Sequence, residues 1–222
     1  MDTVRAAFRD ECVRLEGVLR GLDAADLDRP TPCPPWTVRD LLAHVRTGTG
    51  RLVGMLAAPA PERAEVDAAG YFGAAKFAPD VDRDRIDGAR REARELPGVP
   101  EVAEGFARAW RAADAAVAAE PPGRVVRTRH GDAMALTEFL RTRVVEVGVH
   151  GLDLADALDR RPWLTPTAAT VVADLLADGA PPDGLGWDAL TLVRKATGRR
   201  PVTDAERAVL DRTGFRWLSF GG

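Results

Sequence analysis

The sequence predicts an all-α protein: a four-helix bundle over residues 1–160, followed by a mostly helical extension over 161–222 that packs on the bundle. Three observations lead there. Apolar residues recur at helical spacing in four long segments. Pro- and Gly-rich stretches separate those segments. Short capping patterns, Thr37-x-x-Asp40 and Thr203-x-x-Glu206, mark helix starts. At 222 residues the chain is long enough to bury one sizeable core.

The first helix is expected over residues 3–22, with Val4, Phe8, Cys12, Leu15 and Leu19 on its inner face. Cys12 reads there as a small buried hydrophobe. Four prolines, Pro30, Pro32, Pro34 and Pro35, then enforce a loop up to Trp36. Thr37 is the expected N-cap of a second helix reaching about Leu56, with Val38, Leu41, Leu42, Val45 and Leu52 inward. Residues 57–100 are rich in Ala, Pro and charge, with a short helix expected near Arg83–Leu96. Tyr71, Phe72 and Phe77 either line a pocket or pin that loop.

A third helix is expected over Glu101–Ala119, ended by Pro121-Pro122-Gly123. Val125 and Val126 read as a brief extended piece, and His130 as solvent-facing. The fourth helix runs from Leu136 to Leu158 on a stripe of Leu136, Leu140, Val147, Leu154 and Leu158. In the extension, Thr165-Pro166 starts one helix, residues 187–197 form another closed by Gly198, and Thr203 caps a last one to about Arg212. The tail from Phe215 to Phe220 alternates like a strand and is expected to lie on the body.

Composition narrows the function classes. The net charge is −3 with both signs interspersed, which is no footprint of a nucleic-acid binder. There is no run of about 18 apolar residues and no signal-peptide core at the N-terminus, so no membrane partner and a cytoplasmic location are expected. Cys12 and Cys33 make neither a disulfide framework nor a Cys-x-x-Cys site. Cys33, in the proline-rich loop, reads as packing, with a reactive thiol as the alternative. Of 31 basic residues only Lys76 and Lys195 are lysine, an Arg bias that fits a GC-rich genome.

The fourth helix carries the chemistry. Arg143, Glu146, His150 and Asp153 fall on the side that faces the core, where a surface helix would hold Val or Leu. Glu146 and His150 are one turn apart, about 6 Å along the axis, and can aim at one spot. Buried charge is costly unless it is paired or binds a metal. His44, at the edge of the second helix's inward stripe, supplies a third ligand, and Gly48 and Gly148 leave room beside these residues. Two imidazoles and a carboxylate fit a catalytic metal site with one open position. Asp153 is the candidate partner of an imidazole N–H. Arg143 is the candidate to orient Glu146 or to bind an anionic substrate. For both, a plain ion pair is the alternative.

Thr31-Pro-Cys-Pro-Pro-Trp-Thr-Val-Arg-Asp-Leu-Leu-Ala-His44, followed by Glu146-x-x-x-His150-x-x-Asp153, resembles the mycothiol-dependent maleylpyruvate isomerase family of the DinB-like superfamily. The resemblance covers about residues 5–160. Pro35 stands where that family often has glycine, and the last 60 residues read as short helices rather than the isomerase's α/β C-terminal domain. It implies a DinB-like bundle with His44, Glu146 and His150 on a divalent metal, commonly zinc, and mycothiol as cofactor. The expected activity is S-transfer to, or isomerisation of, a small electrophilic substrate by a metal-bound thiolate. Arg143 and Asp153 are then the assisting residues. A metal-dependent hydrolase that activates water and a non-catalytic metal-binding bundle are the alternatives, as a monomer or a homodimer.

Overall fold

Four long helices pair as the apolar stripes require: α1 (Asp2–Leu19), α2 (Val38–Ala57), α5 (Val99–Ala118) and α6 (Leu136–Ala157). The computed structural model of the chain describes residues 1–73, 79–177 and 179–218. Phe77 and Phe220 therefore lie outside the described residues. Each of α1 and α2 packs against both α5 and α6, closing the bundle. Phe8, Leu15, Leu41, Leu52, Phe106, Leu140 and Leu152 are fully buried between them.

Helix α6 is buried on more than the one expected stripe. Val144, Val145, Val149 and Leu152 are buried along with Leu140, Val147 and Leu154. A helix that is apolar nearly all round belongs in an interior. The reason here is a fifth layer: α7 (Pro166–Leu176) covers α1 and α6 on the side away from α2, and α8 (Ala189–Ala196) packs on α7. The segment before α7 presses Trp163 against Gly151 and Leu164 against Gly148. Gly148 therefore makes room for Leu164, not for the polar residues of α6. That corrects the sequence reading of this glycine.

Local chemistry sets the ends of these helices. Thr37 and Asp40 form a reciprocal capping box at the start of α2. Thr203 and Glu206 do the same for α9 (Asp204–Thr213), and Thr165 accepts from Ala168 N–H at the start of α7. Glu206 also accepts from Lys195 Nζ at 2.7 Å and from Trp187 Nε1 at 2.8 Å, which ties α9 to α8. In the described part of the C-terminal strand-like piece, Trp217 bridges Ala177, and Leu218 N–H donates to Leu176 O.

The 57–100 region holds more helix than the sequence indicated. α3 (Ala68–Tyr71) is a single turn, and α4 (Pro79–Ala93) starts four residues before the expected Arg83. Pro79 fits a first helical turn, where the missing N–H is no loss, and Asp80 and Asp82 suit the helix N-terminus. Helix α4 lies on α2. Val125 and Val126 belong to a small hairpin, β1 (Val125–Arg127) with β2 (Ala133–Ala135), pairing antiparallel with Val126 opposite Met134. Its turn uses Gly131 at φ +95°, which a glycine adopts without strain. His130 is exposed, as expected, at the tip of that turn. Among the described residues, no helix is long and apolar enough to cross a membrane.

Candidate metal centre

Helices α2 and α6 bring His44, Glu146 and His150 together. One potential ligand atom from each lies within 4.8 Å of the other two. His44 Nε2 is 2.5 Å from Glu146 Oε1, and His150 Nε2 is 3.7 Å from the same oxygen. The short contact lacks hydrogen-bond alignment. Glu146 Oε1 is buried and has no donor among the described residues. Donor atoms converging on one point without sharing a proton is the arrangement that a cation resolves. Two nitrogens and one oxygen suit zinc and leave a position open. The residues present fit the group.

Protonation agrees with that role. Burial keeps His44 below the ordinary imidazole value in spite of the adjacent carboxylate, so it is neutral near pH 7, the ligating form. Burial alone would raise the Glu146 carboxyl. His44, Arg143 and His150 outweigh it and hold Glu146 well below the usual carboxylate range. Arg143, always charged, stands with its Nη2 3.8 Å from Glu146 Oε2.

Arg143 is 4% exposed and gives Nη1 to Gly48 O at 3.3 Å and Nε to Thr142 Oγ1 at 3.2 Å. Gly48 of α2 lies against the side chains of Arg143 and Glu146. A Cβ there would meet Arg143 Nη1 at 3.0 Å and Glu146 Oε1 at 3.6 Å. Ala in a helix interior gains about 0.5–1 kcal/mol over Gly, so Gly48→Ala tests which effect wins. It is expected to leave the chain folded and weaken zinc binding about tenfold, measured by competition with a chelator. Unchanged affinity would show that the close approach does not set the ligand geometry.

Behind His150 stands a second layer. Asp153, fully buried, lies 2.9 Å from His150 Nδ1. It also accepts a two-pronged pair from Arg199, Nε at 2.9 Å and Nη2 at 2.7 Å. His150 and Arg199 outweigh burial and hold Asp153 below the usual carboxylate range. An ionised Asp153 takes the Nδ1–H, which leaves Nε2 as the lone-pair nitrogen facing Glu146. Cys33 Sγ is 3.2 Å from Asp153 Oδ2, and burial followed by Asp153 pushes its thiol up to about 12. Cys33, His150 and Asp153 also form a three-ligand group, but Arg199 already supplies the cation there.

His44, Arg143, Glu146, His150 and Arg199 line a cavity of about 260 Å³, with Trp36, Tyr71 and Phe72 among its apolar walls. Trp36 lies over His44 at 4.8 Å between ring centroids and meets His150 edge-on at 6.5 Å. The mycothiol maleylpyruvate isomerase N-terminal domain family matches residues 8–155. The chain belongs to that family.

Similar solved structures include the mycothiol-dependent maleylpyruvate isomerase and a histidine-to-alanine mutant of it. Identity is 16% and 15%, and both have a TM-score of 0.52. In each case the match covers 78% of this chain and 67% of the other. At that identity they show the fold, a helical DinB-like one. No protein of curated function matches the chain.

Family membership makes this chain one of an enzyme family whose name carries a thiol and an isomerase activity. The structure brings together all five residues singled out from the sequence: His44, Arg143, Glu146, His150 and Asp153. Trp36 and Arg199 were missed. Trp36 directly precedes the N-cap Thr37, the place from which a hydrophobic residue packs back on its helix, and that position could have flagged it. Arg199 lies 46 residues beyond Asp153, and no local pattern announces it.

Proposed function

We propose that the chain is a divalent-metal-dependent enzyme that uses mycothiol, a low-molecular-weight thiol, to isomerise a small electrophile or to transfer sulfur to it. The observation that carries this is Glu146 Oε1, a buried acceptor with no donor among the described residues, facing two imidazoles at the cavity wall. His44, Glu146 and His150 would hold the metal, with zinc the ion their chemistry suits. A divalent ion there lowers the pKa of a thiol or water at its open position.

The chain's own residues do the rest. Asp153 fixes the tautomer of His150, and Arg199 keeps Asp153 ionised and in place. Arg143 joins Glu146 to the backbone of α2 through Gly48 O. Trp36 covers the His44 ring and keeps water from one side of it. Cys33 holds its proton up to about pH 12 and makes a poor nucleophile. The nucleophile is therefore an external thiol. Addition of its sulfur to an activated double bond leaves a single bond free to rotate. Expulsion of the thiol then returns the isomer, while retention gives the S-transfer product.

Residues 1–160 form the catalytic bundle in this reading, and 161–222 an extension that completes it through Arg199. Titration of mycothiol into zinc-loaded protein, in two buffers of different ionisation enthalpy, tests the proposal. Binding with release of about one proton per thiol is expected, and none should be seen after chelation. Equal binding with and without zinc would contradict it.

A further inference from the structure

The cavity's guanidinium groups are unequally partnered. Arg143 faces Glu146, Arg199 holds Asp153, and Arg85 lies 3.3 Å from Asp82. Arg51 and Arg129 have no carboxylate within ion-pair distance among the described residues, and Arg129 Nε only donates to His130 Nε2. The undescribed stretch 74–78 contains Lys76 and no acid.

Both arginines line the metal-site cavity and two further cavities that adjoin it, one between α2 and α4 and one between α2 and α5. They stand at the junction. Partial burial, then Arg129 and Arg143, push Arg51 below the ordinary guanidinium value. Acids line these cavities too, Asp82 and Glu146 in the first and Asp84, Asp87 and Glu92 in the second, so what marks Arg51 and Arg129 is the lack of an ion-pair partner among the described residues.

The spacing along α2 adds a direction. His44, Gly48 and Arg51 share one face of the helix, at i, i+4 and i+7. Arg51 is about 10 Å along the axis from His44, and Gly48 between them carries no side chain. A ligand can lie across that gap.

We propose that Arg51 and Arg129 form an anion subsite that grips a carboxylate or phosphate group of the substrate, distant from the carbon that reacts. This rests on the reading of the cavity as the substrate pocket. It assigns the substrate class as an anionic electrophile that spans the distance from the His44–Glu146–His150 site to Arg51. Guanidinium groups match the planar, two-oxygen faces of both anions.

Calorimetric titration of the full-length protein, zinc-loaded and chelated, with succinate, inorganic phosphate and neutral succinamide tests the subsite. Succinate or phosphate is expected to bind both protein forms, and succinamide neither. Arg51→Gln and Arg129→Gln are each expected to weaken that binding about tenfold or more. Arg108→Gln, a groove arginine paired with Glu104, should leave it unchanged. Preference for succinate identifies a carboxylate occupant, and preference for phosphate a phosphate ester. Three results would each overturn the subsite: no binding of either anion, binding untouched by both substitutions, or binding only to the zinc-loaded form. Metal content of the same variants is measured alongside. Zinc retained with anion binding lost isolates the subsite, whereas zinc absent from wild-type protein strikes the metal reading alone.

Discussion

Asp153→Ala is expected to destabilise the metal-free protein by about 3–5 kcal/mol and to weaken zinc binding about 10–100-fold. Both effects come from one carboxylate. Asp153 is fully buried, and its two oxygens serve Arg199 through Nε and Nη2 while Oδ2 also serves His150 Nδ1. Truncation leaves the Arg199 guanidinium, only 18% exposed as a side chain, without its anion. Leaving a buried charge unpaired costs far more than losing a surface pair. It also frees the His150 ring to turn and to choose its other tautomer. Urea unfolding and chelator competition measure the two effects. Asp153→Asn should recover part of the stability, since an amide oxygen can still accept, yet not the charge pairing. A variant of wild-type stability and affinity would show that the buried pair is idle.

Glu146→Gln separates a ligand from a structural residue. The amide matches the carboxylate in size and can donate N–H to His44 Nε2 across the contact that now has no aligned hydrogen bond. What it loses is the charge opposite Arg143, a loose pair at 3.8 Å. The expected cost in metal-free stability is about 1–2 kcal/mol, below that of Asp153→Ala. Zinc affinity should fall at least about a hundredfold, beyond the loss seen when only an outer partner is removed. The ordering is the test. If Glu146→Gln costs more stability than Asp153→Ala, then Glu146 serves the fold and the convergence of ligand atoms is incidental.

How much could be read from the sequence follows from how each residue is presented. His44, Glu146 and His150 were legible because helical periodicity places them among apolar neighbours, where their polarity needs a reason. Asp153 and Arg143 were legible by the same periodicity, one turn to either side. The bundle itself followed from four apolar stripes and from Thr37 and Thr203 at helix starts. Gly148 was misread because it lies between Glu146 and His150 in the sequence, while the residue that needs the space, Leu164, arrives from a later segment. Arg199 was invisible for a related reason: its partner is set by how α7 and α8 return to α6. Arg51 and Arg129 read as ordinary surface arginines in a chain with 31 basic residues. Among the described residues no carboxylate pairs with them, and that is a property of the fold. The extent of α4 was underestimated because Pro79 looked like part of the loop rather than a first helical turn.

His44, Glu146 and His150 are expected to hold one metal ion between α2 and α6. Metal content of purified wild-type and His44→Ala protein, each dialysed against zinc and then freed of unbound ion, tests it most directly. About one zinc per chain is expected in the wild type and almost none in the variant, with both chains equally folded by circular dichroism. A folded His44→Ala protein that keeps its zinc, or a wild-type chain that takes up none, would contradict the account.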